Sequence, residues 1–396
     1  MMRNIAWILA LILFTPTLLF SQEEQEKDFY VTKGKGFEFH FFDDSYLLQV
    51  DFRGQFRASF TDFEKFPDPN EDFPESGTTL AINRARIKIG GHVFKPYYTF
   101  YFEQDLVGGN LLDFRVQLEK LPYLKLRVGQ WKVRYTRERV ISSGKQQGLD
   151  RSILNRVFTV DRQQGVSLYG NIDAGSAANF SYWASALTGT GRGGSTVDGN
   201  NLMYMLRLQW NPNGEVLGWS GSDLENHDRF ISSIALAGVT NQSRYTSFST
   251  SGGGQLFGFE EGVTDQYKVD QLLFETAFKW RGWSWHQEFH FKRIDDRVNL
   301  EETTLIGNFF QLGYFPSHAL SNFPQKMELF GRYAVYDPND VLKDDLNSEY
   351  TLGLNWFFKG HKNKLTLEYS YLEFDQFVPE FESGHRVRLQ WDVSIF

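Results

Sequence analysis

Residues Tyr46 to Phe60 read YLLQVDFRGQFRASF, a segment in which oily and polar side chains alternate. Side chains of a β-strand point alternately to opposite faces, so this segment predicts a strand with one apolar face and one charged face. The charged face carries two arginines, Arg53 and Arg57. An apolar face of this length with arginines on its reverse is typical of a strand that has lipid on one side and water on the other.

The same alternation recurs along most of the chain and predicts an all-β fold, a transmembrane antiparallel β-barrel of about 16 strands. Turn signals such as GGN at 108–110 and RG at 281–282 separate neighbouring strands. Two segments, 229–240 and 303–315, alternate poorly. The predicted strands span residues 46–60, 81–93, 97–107, 111–120, 123–131, 164–172, 177–188, 201–211, 229–240, 266–281, 283–294, 303–315, 325–337, 348–359, 362–375 and 384–396.

Strand length and aromatic content favour a membrane barrel over a soluble β-sandwich, whose strands also alternate. The predicted strands run to about 10–14 residues, whereas strands of soluble proteins have about five or six. The chain contains 38 Phe, 18 Tyr and 10 Trp, several of them clustered near strand ends, where the aromatic girdles of membrane barrels lie. No apolar run after residue 21 approaches the roughly 18 residues that a membrane helix needs.

The chain divides into three predicted parts. Residues 1–21 are typical of a signal peptide, because Arg3 precedes an apolar stretch and the small Ser21 ends it. The alternative is a membrane anchor, which the Pro within the stretch disfavours. Residues 22–45 are expected to form a periplasmic N-terminal segment, with a short strand near its end from Gly36 to His40. Residues 46–396 form the barrel.

Both ends of such a barrel chain should lie on the periplasmic side, so that alternate connections are long external loops. The segments 61–80, 132–162, 189–200 and 241–262 fit this expectation. The long segment 211–228 is an exception, because it falls where a short periplasmic turn is expected.

The longest early interruption, residues 132–162, is strongly basic. It holds eight Lys or Arg residues and three acids, although the whole chain has a net charge of -8. Folded into the lumen as a constriction loop, it would narrow the pore and set a positive field where screening is weak. The strands add further basic residues on the predicted lumen face, which are Arg53, Arg57, Arg84, Arg86, Lys88, Arg115, Lys125 and Arg127.

This basic set indicates a path for anions. The planar guanidinium fork of Arg suits phosphate in particular, because it binds two oxygens at once. The alternative is a mixed interior whose charges only keep water in the pore. The acids that would then neutralise the lumen are Asp51, Glu103, Asp105, Asp113 and Glu119.

Other chemistry has little support in the sequence. The absence of Cys excludes thiol nucleophiles and cysteine–zinc sites, and the acidic net charge argues against nucleic acid as a partner. His286 and His290 share a strand face with Glu288, an arrangement that suits a metal, although a solvated lumen stripe is the simpler interpretation. We therefore expect no cofactor, no metal and no enzymatic activity.

Three stretches resemble the phosphate-selective porin O and P family. The first is YLLQVDFRGQFRASF with the following INRARIKIGGHVFKPYYTFYFEQDL, the second is YLKLRVGQWKVRYTRERVISS, and the third is LDRSILNRVFTVDRQQGVSLYGN. The resemblance implies a sixteen-stranded, trimeric, water-filled outer-membrane channel whose third long loop folds inward. It also implies that arginines of this loop line the anion path. The matching positions are Arg134, Arg137, Arg151, Arg156 and Arg162.

The expected function is therefore that of an outer-membrane porin for passive diffusion of small anions, with phosphate or polyphosphate as the leading solutes. A general non-selective porin and a structural or adhesive barrel without transport are the alternatives. The expected partners are small inorganic anions, outer-membrane lipid and lipopolysaccharide, the barrel assembly machinery and two further copies of the chain. The expected location is the outer membrane of a Gram-negative bacterium.

Overall fold

The computed structural model describes residues 29–33, 36–63, 77–175, 177–194, 196–249, 253–342, 345–374 and 383–394. The predicted signal peptide lies outside the described residues. The strands are β1 (Phe29–Lys33), β2 (Phe37–Phe41), β3 (Tyr46–Phe63), β4 (Gly77–His92), β5 (Tyr98–Asp105), β6 (Asn110–Leu121), β7 (Leu124–Lys132), β8 (Arg162–Asp173), β9 (Asn179–Leu187), β10 (Met203–Trp210), β11 (Ile231–Ser243), β12 (Tyr267–Trp280), β13 (Trp283–Asp296), β14 (Glu301–Tyr314), β15 (Met327–Asp337), β16 (Asn347–Phe357), β17 (Asn363–Phe374) and β18 (Gly384–Ser394).

Helical structure is sparse in the described residues. It consists of α1 (Arg137–Val140), α2 (Leu154–Phe158) and one 3₁₀ turn (Pro316–His318). No helix in the described part of the chain is long and apolar enough to cross a membrane.

Strands β3 to β18 form a closed antiparallel barrel. Each strand pairs with the next along the chain, and β18 returns to pair with β3, where Val387 lies opposite Phe60. All sixteen strands predicted from the sequence are present, each within a few residues of its expected bounds. The predicted β-barrel fold is confirmed.

A hairpin of β1 and β2 precedes the barrel and lengthens its wall. Strand β2 pairs with the start of β3, where Phe37 lies opposite Val50, while β18 pairs with the rest of β3 up to Arg53. Strand β2 therefore lies in line with β18. The short strand expected near residues 36–40 is β2, and β1 is an additional strand that was not predicted.

The alternation of side chains sets what each face of the barrel meets. On β3, the outward Phe56 and Phe60 are exposed, whereas the inward Arg53 and Gln55 are buried. Apolar residues outside and polar residues inside reverse the arrangement of a soluble domain and match a lipid environment.

The interior also contains an apolar core, which the alternating sequence pattern does not predict. Segment 133–161, which connects β7 to β8, folds into the lumen, and its Phe158 belongs to one apolar cluster with inward-facing residues such as Phe309 and Val239. This segment enters from one end of the barrel, which we call the loop end. The opposite end, where β3 begins, is called the turn end. The two strands that alternate poorly, β11 and β14, contribute inward apolar residues to this core.

Candidate functional site

The candidate site is built around residues 133–161, which we call the inward loop. Its base is closed by a 3.3 Å contact between the hydroxyls of Thr136 and Thr159. The Thr136 hydroxyl also accepts the backbone N–H of Arg139 at 3.1 Å, so Thr136 is the N-cap of α1. The loop predicted to fold inward is inside the barrel, with a short helix near each end.

Five glutamates on the lumen faces of β12, β13, β15, β16 and β17 hold the inward loop, and we call them the glutamate clasp. Each carboxylate is buried and accepts an N–H from the loop. The pairs are Glu275 with the Arg137 backbone at 3.0 Å, Glu288 with the Glu138 backbone at 2.7 Å, Glu328 with the Gln147 side chain at 2.7 Å, Glu349 with the Ile153 backbone at 2.9 Å, and Glu368 with the Leu149 backbone at 2.8 Å.

The same wall donates hydrogen bonds to the loop's carbonyl groups. The Lys364 ammonium donates to the Gln146 carbonyl at 2.8 Å, and the Lys292 ammonium donates to the Val157 carbonyl at 2.9 Å. Buried backbone groups need such partners, because an unmade hydrogen bond is costly in the interior. Side chains of the wall from β12 to β17 thus provide hydrogen bonds that secondary structure would otherwise provide to the loop.

The lumen faces of β3 to β7, which we call the basic wall, carry most of the predicted site residues. Several of them pair with acids of the same wall, as the mixed-interior alternative expects. The pairs are Arg86 with Glu103 at 3.0 Å, Lys88 with Asp51 at 3.1 Å, Arg115 with Asp113, and Lys125 with Glu119 at 4.0 Å. The basic side chains of these pairs remain 13 to 29 % exposed, whereas the clasp carboxylates are almost fully buried.

Some lumen cations form no ion pair with any described carboxylate. Arg127 instead lies 4.5 Å from the ring centre of Tyr169, and Arg134 lies 4.5 Å from that of Trp219. Burial, followed by the nearby Arg127, lowers the pKa of Arg134 to about 9, so this loop residue keeps its charge at neutral pH. Arg386 on β18 is likewise unpaired in the described part of the chain. The positive charge of these three residues is therefore not neutralised by an ion pair in the described part of the chain.

The arginines expected to line the path from the inward loop have separate surroundings. Arg151 turns back onto its own loop and donates to three backbone carbonyls at 2.8–3.1 Å. Arg156 lines a cavity of about 830 Å³ at the loop end. Arg137 donates to the Gly218 carbonyl, and Arg162 pairs with Asp113 at 2.6 Å. The structure does not bring the predicted loop arginines together in one row.

The strand arginines Arg57 and Arg84 meet at Asp150 of the inward loop. Arg57 contacts this carboxylate at 2.7 Å and Arg84 at 3.5 Å, and Arg388 of β18 contacts it from the other side. Burial disfavours the charged carboxylate, but the arginines, Arg388 first, outweigh burial and hold the pKa of Asp150 well below its usual value. The remaining strand arginine, Arg53, pairs with Asp392 at 2.8 Å.

A second segment enters the lumen from the turn end. This segment, residues 211–230 between β10 and β11, contains the connection 211–228, which is longer than the short periplasmic turn expected there. Its Ser222 hydroxyl donates to Glu328 of the clasp at 2.7 Å. Its Trp219 ring lies within 5.5 Å of the guanidinium groups of Arg134, Arg137 and Arg207. The excess length is therefore used inside the barrel, against the inward loop.

His286 and His290, the histidine pair noted in the sequence, both contact Glu288 of the glutamate clasp. Ligand atoms of Glu275, His286 and Glu288 lie within 4.8 Å of one another. Each Glu288 oxygen already contacts one histidine, Oε1 with His286 at 2.9 Å and Oε2 with His290 at 3.0 Å. Glu275 pairs with the buried Arg207 at 2.7 Å. The positive charge of Arg207 would repel a metal ion at this position, so these side chains fit a structural network better than a metal site.

The clasp, Asp150, Arg388 and the 211–230 segment were not among the predicted site residues. The alternation of β12 to β17 places the glutamates on the lumen face and was readable from the sequence. Their role in holding the inward loop could not be predicted, because it depends on which atoms of the loop lie opposite each glutamate in the folded barrel. The length of segment 211–228 was the one signal for the second inward segment.

Comparisons with known proteins agree with this architecture. The family model described as phosphate-selective porin O and P matches residues 50–390. No curated protein matches the sequence.

Solved outer-membrane proteins share the fold. OmpT of Vibrio cholerae has a TM-score of 0.56 at 10% identity, covering 90% of this chain and 99% of that chain. An anion-selective porin from Comamonas acidovorans has a TM-score of 0.55 at 11% sequence identity, and the match covers 88% of this chain and 99% of that chain. The outer membrane channel DcaP of Acinetobacter baumannii has a TM-score of 0.54 at 11% sequence identity, and the match covers 89% of this chain and 99% of that chain. At these identities the likeness shows the fold alone.

Proposed function

This chain belongs to the phosphate-selective porin O and P family, and we propose that the outer-membrane channel it forms prefers small anions, with phosphate and polyphosphate as the leading solutes. The observation that carries the proposal is the separation of charge inside the barrel. The clasp carboxylates are buried beneath the inward loop, whereas the partly exposed charges are mainly those of the basic wall. Because Arg127 and Arg134 have no acidic partner among the described residues, a solute in the lumen would meet more positive than negative charge.

The physical basis of this preference is electrostatic. A lumen with low-dielectric walls strengthens the field of the unpaired Arg127 and Arg134, which attracts anions and repels cations. Passage then requires that each contact be weak enough to release the ion to the next one. One structural neighbour, the porin from Comamonas acidovorans, is described as anion-selective, which supports the same direction.

The proposal is tested by the zero-current potential of the purified protein in a planar lipid bilayer under a KCl gradient. Anion preference gives a potential with the sign of the chloride equilibrium potential. Replacing chloride by phosphate on one side then measures the relative permeability of phosphate. A potential near zero identifies a general porin, the sign of the potassium potential overturns anion preference, and an absence of conductance identifies a structural barrel.

We further propose a homotrimer whose loop end faces the outside and whose N-terminal segment is periplasmic. OmpT of Vibrio cholerae is described in a trimer form, which supports the stoichiometry. The exposed apolar outer face requires lipid or another copy of the chain. The mass of the detergent-solubilised protein from light scattering, with bound detergent subtracted, tests the trimer, and a single-chain mass contradicts it. The predicted signal peptide, the Gram-negative source and the contacts with lipopolysaccharide and the assembly machinery remain part of this proposal.

A further inference from the structure

The Asp150 carboxylate lies among three arginines that come from three adjacent barrel strands. Arg57 belongs to β3, Arg84 to β4 and Arg388 to β18, and β3 pairs with both of the others. Asp150 belongs to the inward loop. The cations are thus fixed to the barrel wall, while the anion is carried by a connection that crosses the lumen.

The contacts are those of a bound oxyanion. Arg57 binds both carboxylate oxygens, Oδ2 at 2.7 Å and Oδ1 at 3.1 Å, in the fork geometry that suits carboxylate and phosphate. Arg84 adds a contact to Oδ1 at 3.5 Å, and Arg388 adds one to Oδ2. Each oxygen therefore faces two guanidinium groups. A phosphate has more oxygens than a carboxylate and fits the same donors.

The cluster is open to the lumen on the side of Asp150. The Asp150 side chain is 33% exposed, compared with 21% for Arg84, 10% for Arg57 and 4% for Arg388. A solute in the lumen therefore meets the carboxylate first. Arg386, two residues from Arg388 on the same face of β18, has a buried Nε without a hydrogen-bond partner. This second observation shows donor capacity beside the cluster that Asp150 does not use.

We propose that Arg57, Arg84 and Arg388 form an oxyanion-binding site for phosphate, and that Asp150 occupies this site as an internal ligand that an incoming phosphate displaces. The inference rests on the proposed function, because it names one place where a passing anion stops. It also accounts for release, since the returning Asp150 carboxylate competes with the bound phosphate. A site with a built-in competitor is weak, as conduction requires.

The test compares Asp150→Asn with Asp51→Asn, a charge-matched control on the basic wall, where Asp51 pairs with Lys88. Inorganic phosphate is titrated into chloride solution on both sides of a bilayer, and the concentration that halves the chloride current is measured. For Asp150→Asn we expect this concentration to fall about tenfold, a change equivalent to one strong charge-assisted contact. For Asp51→Asn we expect a change of less than about twofold, because its partner Lys88 is not one of the three arginines and the pair is partly exposed to solvent.

A third variant, Asp150→Asn with Arg84→Gln, identifies the site, because removing one of the three cations should cancel most of the gain. Phosphate binding to the purified proteins by calorimetry provides a readout that does not need conduction. All three arginines lie on barrel strands, so this readout holds even if the Asn variant releases the loop. Equal changes for the Asp150 and Asp51 variants in both measurements would overturn the inference.

That outcome is distinct from failure of anion preference. Anion preference is decided by the zero-current potential of the natural protein. The internal-ligand inference is decided by the difference between two variants of equal charge. A channel that prefers anions but binds phosphate equally in both variants would retain the proposed function and lose this site.

Discussion

The backbone N–H of Gly221 donates to the carbonyl oxygen of Lys145 at 2.8 Å, although the two residues enter the barrel from opposite ends. Gly221 belongs to the segment 211–230 from the turn end, and Lys145 belongs to the inward loop from the loop end. The two connections therefore support each other in the lumen. The two segments and the glutamate clasp therefore form one joint structure inside the barrel.

Trp219 is the principal aromatic contact of this junction, and Trp219→Ala should loosen it. The ring packs edge-on against Trp183 at 5.9 Å and faces three guanidinium groups, each such contact contributing about 0.5–2 kcal/mol. We expect a larger single-channel conductance and a lower unfolding temperature. Trp280→Ala is the matched control, because Trp280 faces outward and lies 5.5 Å from Arg281. Equal conductance in both variants would show that Trp219 does not restrict the lumen.

Removal of a clasp carboxylate should release part of the inward loop. Glu349 accepts the Ile153 N–H and pairs with the buried Arg332, so Glu349→Ala leaves a buried charge unpaired, at a cost of about 3–5 kcal/mol. We expect larger and noisier single-channel currents. Glu302, an exposed residue of β14, provides the control substitution Glu302→Ala. Quiet currents of unchanged amplitude in Glu349→Ala would contradict the role of the clasp.

Gly307 on β14 makes room for the inward loop. A Cβ at this position would lie 2.7 Å from the Phe158 ring and 3.0 Å from the Leu154 side chain. Gly307→Val should therefore displace α2, at a cost of about 1–3 kcal/mol. We expect faster cleavage of the loop by trypsin at its Lys and Arg residues.

The control for this substitution is Gly331→Val on the adjacent strand β15. A Cβ there meets its nearest neighbour, the Leu352 side chain, at an ordinary 3.4 Å. This variant should be cleaved at the rate of the natural protein. Equal rates for the two valine variants would mean that the loop does not depend on close approach to β14.

The contribution of Asp150 to loop position should depend on pH in a defined direction. Because its pKa in the folded protein is lowered, the contact is complete above the ordinary carboxyl value of about 4 and is lost as the pH falls through the lowered value. We expect the conductance difference between the natural protein and Asp150→Asn to be constant from pH 8 to pH 5 and to vanish in stronger acid. A difference that disappears near neutral pH would contradict this assignment.

The sequence predicted the barrel well because the outward face obeys one rule. Lipid contacts every strand in the same way, so outward residues are apolar at every second position whatever lies inside. The two weakly alternating strands mark the limit of this rule. In β11, Ala237 and Val239 face inward and are apolar, since the inward loop packs there and replaces water.

The site was less predictable than the fold, because its pairs are distant in sequence. Asp150 and Arg388 are 238 residues apart, and their contact depends on closure of the barrel and on the path of the loop. The sequence correctly places Arg57 and Arg84 on the lumen face. It does not reveal that they converge on an acid of the loop, nor that Arg134 and Arg137 share the ring of Trp219.

We propose that lumen cations of the basic wall set the preference for anions. The most direct test of this proposal is the zero-current potential of Arg115→Gln/Arg127→Gln against that of Lys95→Gln/Lys120→Gln. Both double variants lose two positive charges, but Lys95 and Lys120 are exposed outside the lumen at the turn end. We predict that the lumen variant loses most of its anion preference, while the outer variant keeps the potential of the natural protein. An unchanged potential in the lumen variant would contradict the account.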